Sequence, residues 1–342
     1  MSLMTDITSL VQSRPALLFD RSERLRMQFS GPKAAESLTG LVTNDVLALG
    51  GGMGLYACAL TVKGRIIADV RILALVGADG TVETLLADTN AAAGSGFSAM
   101  IRKYVNPRTT KYVDITGATS CLTLVEASAD GLLRSLASDS VNVDAVTSGP
   151  TFTHREVMIG GVTVRVVSIP DLGAVPAYDL HVAREHAGVL QATLLAAGAA
   201  PGDQAEWQSL RVSAGRPEWG IDMDEGTLAQ EANMDALEAI SYQKGCYTGQ
   251  ETVARVHFRG HVNRTLRRVR FPGVLLPAPG TPLAIEDGSV VGDARSSCRT
   301  VDGSGIGIVM LRREVADQAP LTWTTADVAD AQEAVVMGIA DA

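Results

Sequence analysis

The sequence predicts an α+β protein whose long mixed body is followed by a small β-barrel or sandwich. Up to about residue 260, strand-like and helix-like segments follow one another irregularly and include hairpin signals, which favours α+β over a doubly wound sheet. After Arg264, short strand candidates recur between Gly, Pro and Asp residues, as in small all-β domains. The 342 residues, of which 46% are hydrophobic, are enough for about two domains.

The body begins with a helix predicted over 32–42, because Pro32 suits a first helical turn after Ser30 or Gly31. A hairpin follows, with strands at 56–62 and 65–76 around the turn Lys63-Gly64. Gly215 is expected to stop the helix that ends at Ala214. Further strands are predicted at 82–87, 110–116, 120–126, 153–159, 162–169 and 178–182, and further helices at 90–105, 129–137, 183–197 and 203–214.

The C-terminal part contains five strand candidates separated by turn residues. They lie at 266–271, 282–286, 289–294, 305–311 and 319–324. We therefore predict a body over 4–262 and a barrel domain over 263–342.

Composition and charge exclude several classes of protein. The formal net charge of -9 repels phosphates at long range, so we expect no direct nucleic-acid binding. The four cysteines form no CxxC pair, which argues against a disulfide framework and against a cysteine zinc site. No apolar run reaches the roughly 18 residues of a membrane helix, and the N-terminal residues lack the pattern of a signal peptide. We expect a cytoplasmic protein without a membrane partner.

The segment Lys244–Glu251, which reads KGCYTGQE, carries the clearest chemistry. Gly245 and Gly249 flank Cys246 and permit a positive φ, and Lys244 brings a cation close to the thiol. A nearby cation favours the thiolate, so Cys246 is a candidate for an accessible, reactive cysteine. The alternative is a small buried core cysteine, which is common for a lone thiol.

This octapeptide resembles the signature of the YgfZ-type folate-binding proteins. That family belongs to the superfamily of the glycine-cleavage T-protein (GcvT), an aminomethyltransferase. The resemblance extends over nearly the whole chain through the segments Leu41–Val46, Gly64–Asp69, Arg211–Pro217, Gln230–Met234, Val253–Arg255 and Arg259-Gly260.

The resemblance implies a GcvT-like fold with two interleaved α+β subdomains around a central channel and a C-terminal β-barrel. It implies that tetrahydrofolate, or a derivative, binds in the channel. It also implies a role in iron–sulfur cluster assembly or repair, and an indirect role in tRNA modification. The expected partners are iron–sulfur assembly proteins or their client enzymes, and Cys246 is the expected functional thiol.

Two departures from the T-protein pattern leave the activity open. T-proteins have an Asp-Asp pair that includes the catalytic acid, whereas this chain has Ala68 followed by Asp69. T-proteins also lack the signature cysteine. A folate-dependent aminomethyl- or methyltransferase with Asp69 as its acid is therefore an alternative to a non-enzymatic folate-binding protein. A scaffold without folate affinity is a third possibility.

By the same resemblance, the cofactor-binding residues are Glu231, Asn233, Lys244, Gly245, Gln250, Glu251 and Arg255, beside the catalytic candidates Cys246 and Asp69. Carboxylates can accept hydrogen bonds from a pterin, and arginine can bind the glutamate tail of folate. Each of these roles has an alternative. Asp69 and Glu231 could be solvated strand carboxylates, and Asn233 could form a turn. Arg255 and Arg259 could form an exposed basic edge.

No metal site is expected. His257 and His261 have a spacing that could bind metal on a helix, but Val256 and Phe258 indicate a strand or loop there. Cys58 and Cys121 are expected in the core, and Cys298 is expected in an exposed loop.

Overall fold

The structure is a computed structural model that describes residues 15–77, 79–126, 128–299, 303, 305–325 and 328–338. The first residues of the predicted body, 4–14, lie outside this part of the chain. The chain forms two compact units. Of the described residues, the first comprises those up to Ala59, Ile67–Gln204 and Ala239–Thr248. The second comprises those in Leu60–Ile66, in Ala205–Glu238 and from Gly249 onward.

The first unit contains two sheets and five α-helices among its described residues. Its strands are β1 Leu17–Asp20, β2 Leu25–Ser30, β3 Gly54–Leu60, β4 Ile66–Val76, β5 Val82–Thr89, β6 Lys111–Asp114, β7 Thr119–Val125, β8 His154–Ile159, β9 Val162–Ser168, β10 Ala177–Ala183 and β11 Ala200–Pro201. Its helices are α1 Ala34–Thr39, α2 Gly94–Tyr104, α3 Ala129–Leu136, α4 Ser140–Thr147 and α5 Ala187–Ala196.

The five-stranded sheet has the order β3-β4-β5-β2-β6. The predicted hairpin is confirmed, with Gly64 at φ 74° in its turn. The helix predicted over 32–42 is only six residues long, and β1 and β2 were not predicted. β1 has four residues and β2 has six, so neither carries a long periodic pattern.

The six-stranded sheet has the order β11-β1-β7-β10-β9-β8. Alternate residues point to opposite faces, so Leu122 and Leu124 of β7 join a hydrophobic core with Leu133 and Leu190 of the covering helices. The opposite face carries polar residues, among them Thr123 of β7 and the neighbouring strand's Asp179. One face of this sheet is therefore a conventional apolar core and the other is charged.

The described residues of the second unit form two α-helices and a closed barrel. The helices are α6 Gln204–Ala214 and α7 Gln250–Arg259, and the strands are β12 Arg264–Phe271, β13 Pro282–Ala284, β14 Val290–Arg299, β15 Gly305–Arg312, β16 Pro320–Thr325 and β17 Val328–Gly338. The barrel order is β12-β15-β14-β13-β16-β17. α6 ends before Gly215 at φ 74°, as predicted. The barrel is closed by β17, which was not predicted.

Two sequence-based expectations in this unit are wrong. Residues 250–259 form helix α7 rather than a strand or loop, because Gly249 starts the helix and Val253 is buried beneath it. α7 ends at Arg259, so His261 does not share a helix with His257. Cys298 lies in β14 and is buried rather than exposed in a loop, since its side chain packs against Ser209 and Ser213.

None of the described helices combines the length and the apolar character that crossing a membrane requires.

Candidate functional site

Asp69 lies on β4 with one carboxylate oxygen bound and the other available. The hydroxyl of Tyr56, on the neighbouring strand β3, donates to Oδ2 of Asp69 at 2.9 Å. The Oδ1 atom of Asp69 is buried and has no hydrogen-bond partner among the described residues. A buried carboxylate oxygen without a donor is costly, and a ligand N–H would supply that donor.

Lys244 ties the start of the octapeptide to the end of α1. Its Nζ donates to the carbonyl oxygens of Thr39, Val42 and Asn44, the last two at 2.7 and 2.8 Å. The ammonium also lies 4.8 Å from the centroid of the Tyr247 ring. Burial lowers the pKa of Lys244 to about 8, although the charge of Asp45 opposes this shift. The three carbonyls account for all three donors of the ammonium group.

Cys246 is an exposed free thiol on a loop anchored at both ends. Lys244 anchors one side, and the backbone N–H of Thr248 donates to the carbonyl of Gly40 at 3.1 Å on the other. The alternative of a buried core cysteine is therefore wrong for Cys246. It is correct for Cys58 and Cys121, which are both buried, as expected.

The two glycines of the octapeptide differ. Gly249 has φ 86°, and a Cβ at that position would lie 2.6 Å from the carbonyl oxygen of Thr61. Gly245 does not adopt the left-handed conformation, and a Cβ there would meet no atom within 4 Å. Only Gly249 is required by the backbone, while Gly245 leaves open space beside the cysteine.

Glu231, in the second unit, is bound on both oxygens. Nε of Arg264 donates to its Oε1 at 2.9 Å, and the backbone N–H of Leu228 donates to its Oε2 at 2.8 Å. Arg65 adds an ion pair at 3.6 Å. The carboxylate therefore holds the start of β12 to the segment before it.

Asn233 forms a turn in the same segment. Its φ is 58°, and its Nδ2 donates to the carbonyl of Leu266 at 2.7 Å. The turn-forming alternative thus describes the local role of Asn233.

The remaining predicted residues belong to helix α7. Gln250 is half-buried at its first position, Glu251 is exposed in its first turn, and Arg255 is exposed further along. An acidic residue in the first turn interacts favourably with the helix dipole.

The predicted residues thus divide between the two units. Asp69, Lys244, Gly245 and Cys246 belong to the first, whereas Glu231, Asn233, Gln250, Glu251 and Arg255 belong to the second.

The family model described as GCVT N-terminal domain matches residues 11–242, which is more than half of the chain. The chain belongs to the GcvT family. The matched range ends just before Lys244, so the octapeptide is outside it.

Curated relatives place the chain among the YgfZ-type members of the GcvT superfamily. A "tRNA-modifying protein YgfZ" of Sodalis glossinidius is 36% identical over 124 residues, covering 35% of this chain and 37% of that protein. A protein of the same name from Cronobacter sakazakii is 25% identical over 280 residues, covering 80% and 77%. The mouse "Iron-sulfur cluster assembly factor IBA57, mitochondrial" is 36% identical over 115 residues, covering 33% and 32%. The first and third matches therefore span only about a third of the relatives' length.

A solved structure shows the GcvT fold over almost the whole chain. The glycine cleavage system aminomethyltransferase T from Bartonella henselae superposes with a TM-score of 0.81 at 16% identity, covering 98% of this chain and 89% of that one. The predicted fold class, α+β and GcvT-like with a C-terminal barrel, is confirmed.

This GcvT-family chain also has a buried ionic cluster that the sequence analysis missed. Arg71 on β4 forms ion pairs with Asp171 and Asp179 of the six-stranded sheet, and it lies directly opposite Asp88 on β5. Arg24 completes the group, with its Nε 2.7 Å from Asp88 Oδ1. The cluster joins the two sheets of the first unit. The available signal was the position of Arg71, two residues after Asp69 on the same strand face.

The electrostatics of the cluster favour the ionised form of Asp88 and the neutral forms of the neighbouring His181 and Cys121. Burial alone would raise the pKa of Asp88, but Arg24 and Arg71 outweigh it and lower the pKa to about 2. Burial lowers the pKa of His181 to about 4 and raises that of Cys121, its partner across the strands.

Cys121, His181 and Asp179 form a close group, but the oxygens of Asp179 already accept from Arg71 and Thr123. This group therefore belongs to the hydrogen-bonded interior between the two sheets.

Proposed function

We propose that this chain is a tetrahydrofolate-binding protein that supports iron–sulfur cluster assembly or repair, with Cys246 as its functional thiol. The observation that carries the proposal is the exposed Cys246 on a loop anchored by Lys244 and Thr248. The names of the relatives, "tRNA-modifying protein" and "iron-sulfur cluster assembly factor", are consistent with this role. An effect on tRNA modification would then arise through iron–sulfur enzymes, because the net charge of -9 disfavours direct RNA binding.

Folate fits the chemistry of the first unit at Asp69. The buried, unpartnered Oδ1 would accept a hydrogen bond from the amino or ring N–H groups of a pterin. Tyr56 holds Oδ2 and so orients Oδ1. In the second unit, the exposed Arg255 is a separate candidate for binding a carboxylate of the glutamate tail.

The other cofactor-binding candidates would act in different ways. Glu231, Asn233 and Lys244 already have protein partners, so they would shape the segments around a ligand. Gly245 would leave room beside Cys246, and Gln250 and Glu251 would offer polar groups at the start of α7.

Cys246 cannot hold a cluster alone. Iron–sulfur clusters are usually held by four cysteine thiolates, whereas the other three cysteines of this chain are buried. A cluster handled as cargo would take its remaining ligands from a second thiol compound or from a partner protein. The proposed partner proteins are iron–sulfur assembly proteins and their client enzymes. The proposed location is the cytoplasm.

Replacement of the thiol tests this role. In a strain lacking the gene for this chain, Cys246→Ser should fail to restore the activity of iron–sulfur enzymes. Cys298→Ser, which alters a buried cysteine, should restore it. Full rescue by Cys246→Ser would contradict the proposed thiol function.

A second candidate function is a folate-dependent aminomethyl- or methyltransferase, favoured by the available Oδ1 of Asp69. Calorimetry with tetrahydrofolate separates folate binding from a scaffold without folate affinity. Turnover of an amine substrate with tetrahydrofolate, abolished by Asp69→Asn, would favour the transferase. Binding without turnover would favour the first function.

A further inference from the structure

None of the predicted cofactor-binding residues lines the groove on the outer wall of the barrel, although Arg264 at the groove pairs with Glu231. The volume of the groove is about 310 Å³, and it lies over β12, β13, β14 and β15. Two arginines, Arg264 and Arg312, stand at the groove. Pro282 and Val290 contribute exposed apolar surface, and the buried side chain of Met310 lies at the groove. The volume is at the lower end of the range for small-molecule sites, about 300–1,000 Å³.

The two arginines are direct neighbours across strands. Arg264 of β12 pairs in register with Arg312 of β15, so two like charges stand opposite each other. This arrangement is destabilising unless the charges are compensated. Glu231 compensates Arg264. The exposed side chain of Arg312 has no hydrogen bond or ion pair with any described residue.

Among the described residues, the one acidic side chain that lines the groove is itself paired with an arginine, so it repels an anion only weakly. This side chain is Asp293, which forms an ion pair with Arg295 at 2.6 Å. The local balance is therefore positive, although the whole chain carries a net charge of -9. The free guanidinium of Arg312 presents five N–H donors in a planar fork that matches a carboxylate.

The apolar surface selects among anions. Inorganic phosphate is hydrated on all sides and gains nothing from the exposed side chains of Pro282 and Val290. A carboxylate attached to a short hydrocarbon chain would pair with Arg312 and bury its chain on those residues. We propose that this groove binds a small organic acid, with Arg312 as the residue that recognises its carboxylate.

Methyl NMR of the full chain labelled at methionine tests the proposal, with Met310 as the reporter. Titration with hexanoate should shift the Met310 methyl signal saturably, with a Kd of about 1–10 mM. Arg312→Gln should weaken binding by about tenfold, because it removes the charged partner of the carboxylate. The control Arg313→Gln removes the same charge at the next, exposed position and should leave the Kd within about twofold.

Two further probes define the outcomes. Hexan-1-ol and inorganic phosphate should produce clearly weaker responses than hexanoate. A hexanol response equal to that of hexanoate, or an equal phosphate response, would overturn organic-acid recognition. The absence of a saturable shift with hexanoate, or unchanged affinity in Arg312→Gln, would also overturn it. The readout does not depend on tetrahydrofolate, so the proposed function and this groove can fail separately.

Discussion

The hydroxyl of Tyr56 donates to Oδ2 of Asp69 at 2.9 Å and leaves Oδ1 of the same carboxylate buried without a protein donor. One oxygen of Asp69 is thus fixed by the neighbouring strand and the other is available to a ligand. This asymmetry makes Asp69 the strongest candidate for ligand binding among the described residues of the first unit.

Asp69→Asn should raise the Kd for tetrahydrofolate by about tenfold or more, because a hydrogen bond to a charged acceptor contributes about 1.5–3 kcal/mol. Tyr56→Phe should raise the Kd less, since the acceptor remains and loses only its orientation. Calorimetry measures both values. The control is Glu83→Gln, which removes an exposed carboxylate on β5. This variant should bind tetrahydrofolate with the affinity of the wild type. Unchanged affinity in Asp69→Asn would remove Asp69 from the proposed site.

Lys244→Met should lower the free energy of unfolding by about 2–3 kcal/mol, because the variant leaves buried carbonyls without a donor. Lys33→Met is the matched control. Its exposed ammonium pairs with Glu36 at the surface, so the loss should stay below about 0.5 kcal/mol. Urea unfolding followed by circular dichroism measures both. Equal losses in the two variants would show that the carbonyl contacts of Lys244 do not anchor the loop.

The lowered pKa of Lys244 also predicts a pH dependence with a defined sign. Its pKa is about 8 in the folded protein and 10.5 in the reference state, so the unfolded chain binds more protons between these values. The contribution of Lys244 to stability should therefore increase as pH rises from about 8 to about 10.5. The difference in unfolding free energy between the wild type and Lys244→Met measures it. A difference that stays constant or shrinks over this range would contradict the prediction.

Asp88 should contribute to acid stability. Its folded pKa of about 2 lies below the reference value of 3.8, so its contribution is present above pH 3.8 and is lost as pH falls toward 2. The shift corresponds to about 2 kcal/mol. Asp88→Asn should remove this pH-dependent step and destabilise the fold at neutral pH by about 3–5 kcal/mol. Asp144→Asn, at an exposed ion pair, should keep the step. An unchanged acid profile in Asp88→Asn would show that the cluster does not control acid stability.

The two glycines of the octapeptide should respond differently to alanine. Gly249→Ala places a Cβ 2.6 Å from the oxygen of Thr61 at φ 86°, and should cost at least about 1–2 kcal/mol of folding free energy. Gly245→Ala meets open space and should change stability by less than about 0.5 kcal/mol. Thermal unfolding compares the two proteins directly. A larger loss in Gly245→Ala would contradict this backbone assignment.

The parts of the fold that were predicted correctly rest on local signals. The hairpin at Gly64, the stop at Gly215 and most barrel strands follow from turn residues and short-range alternation. One short segment also predicted that Cys246 is an accessible thiol, and Cys246 is exposed. Its functional role stays a prediction. Helix α7 was missed because its apolar residues are few and fit a strand equally well.

By itself, the sequence determined the α+β class, the barrel and the motif around Cys246, because each depends on residues close together in the chain. Only the tertiary structure decided that Lys244 binds carbonyls about 200 positions away and that Glu231 pairs with Arg264. It also decided that Arg71 meets Asp171 across 100 positions. Such contacts depend on how the chain returns to the same place, which local periodicity does not encode, and they determine which polar groups remain free for a ligand.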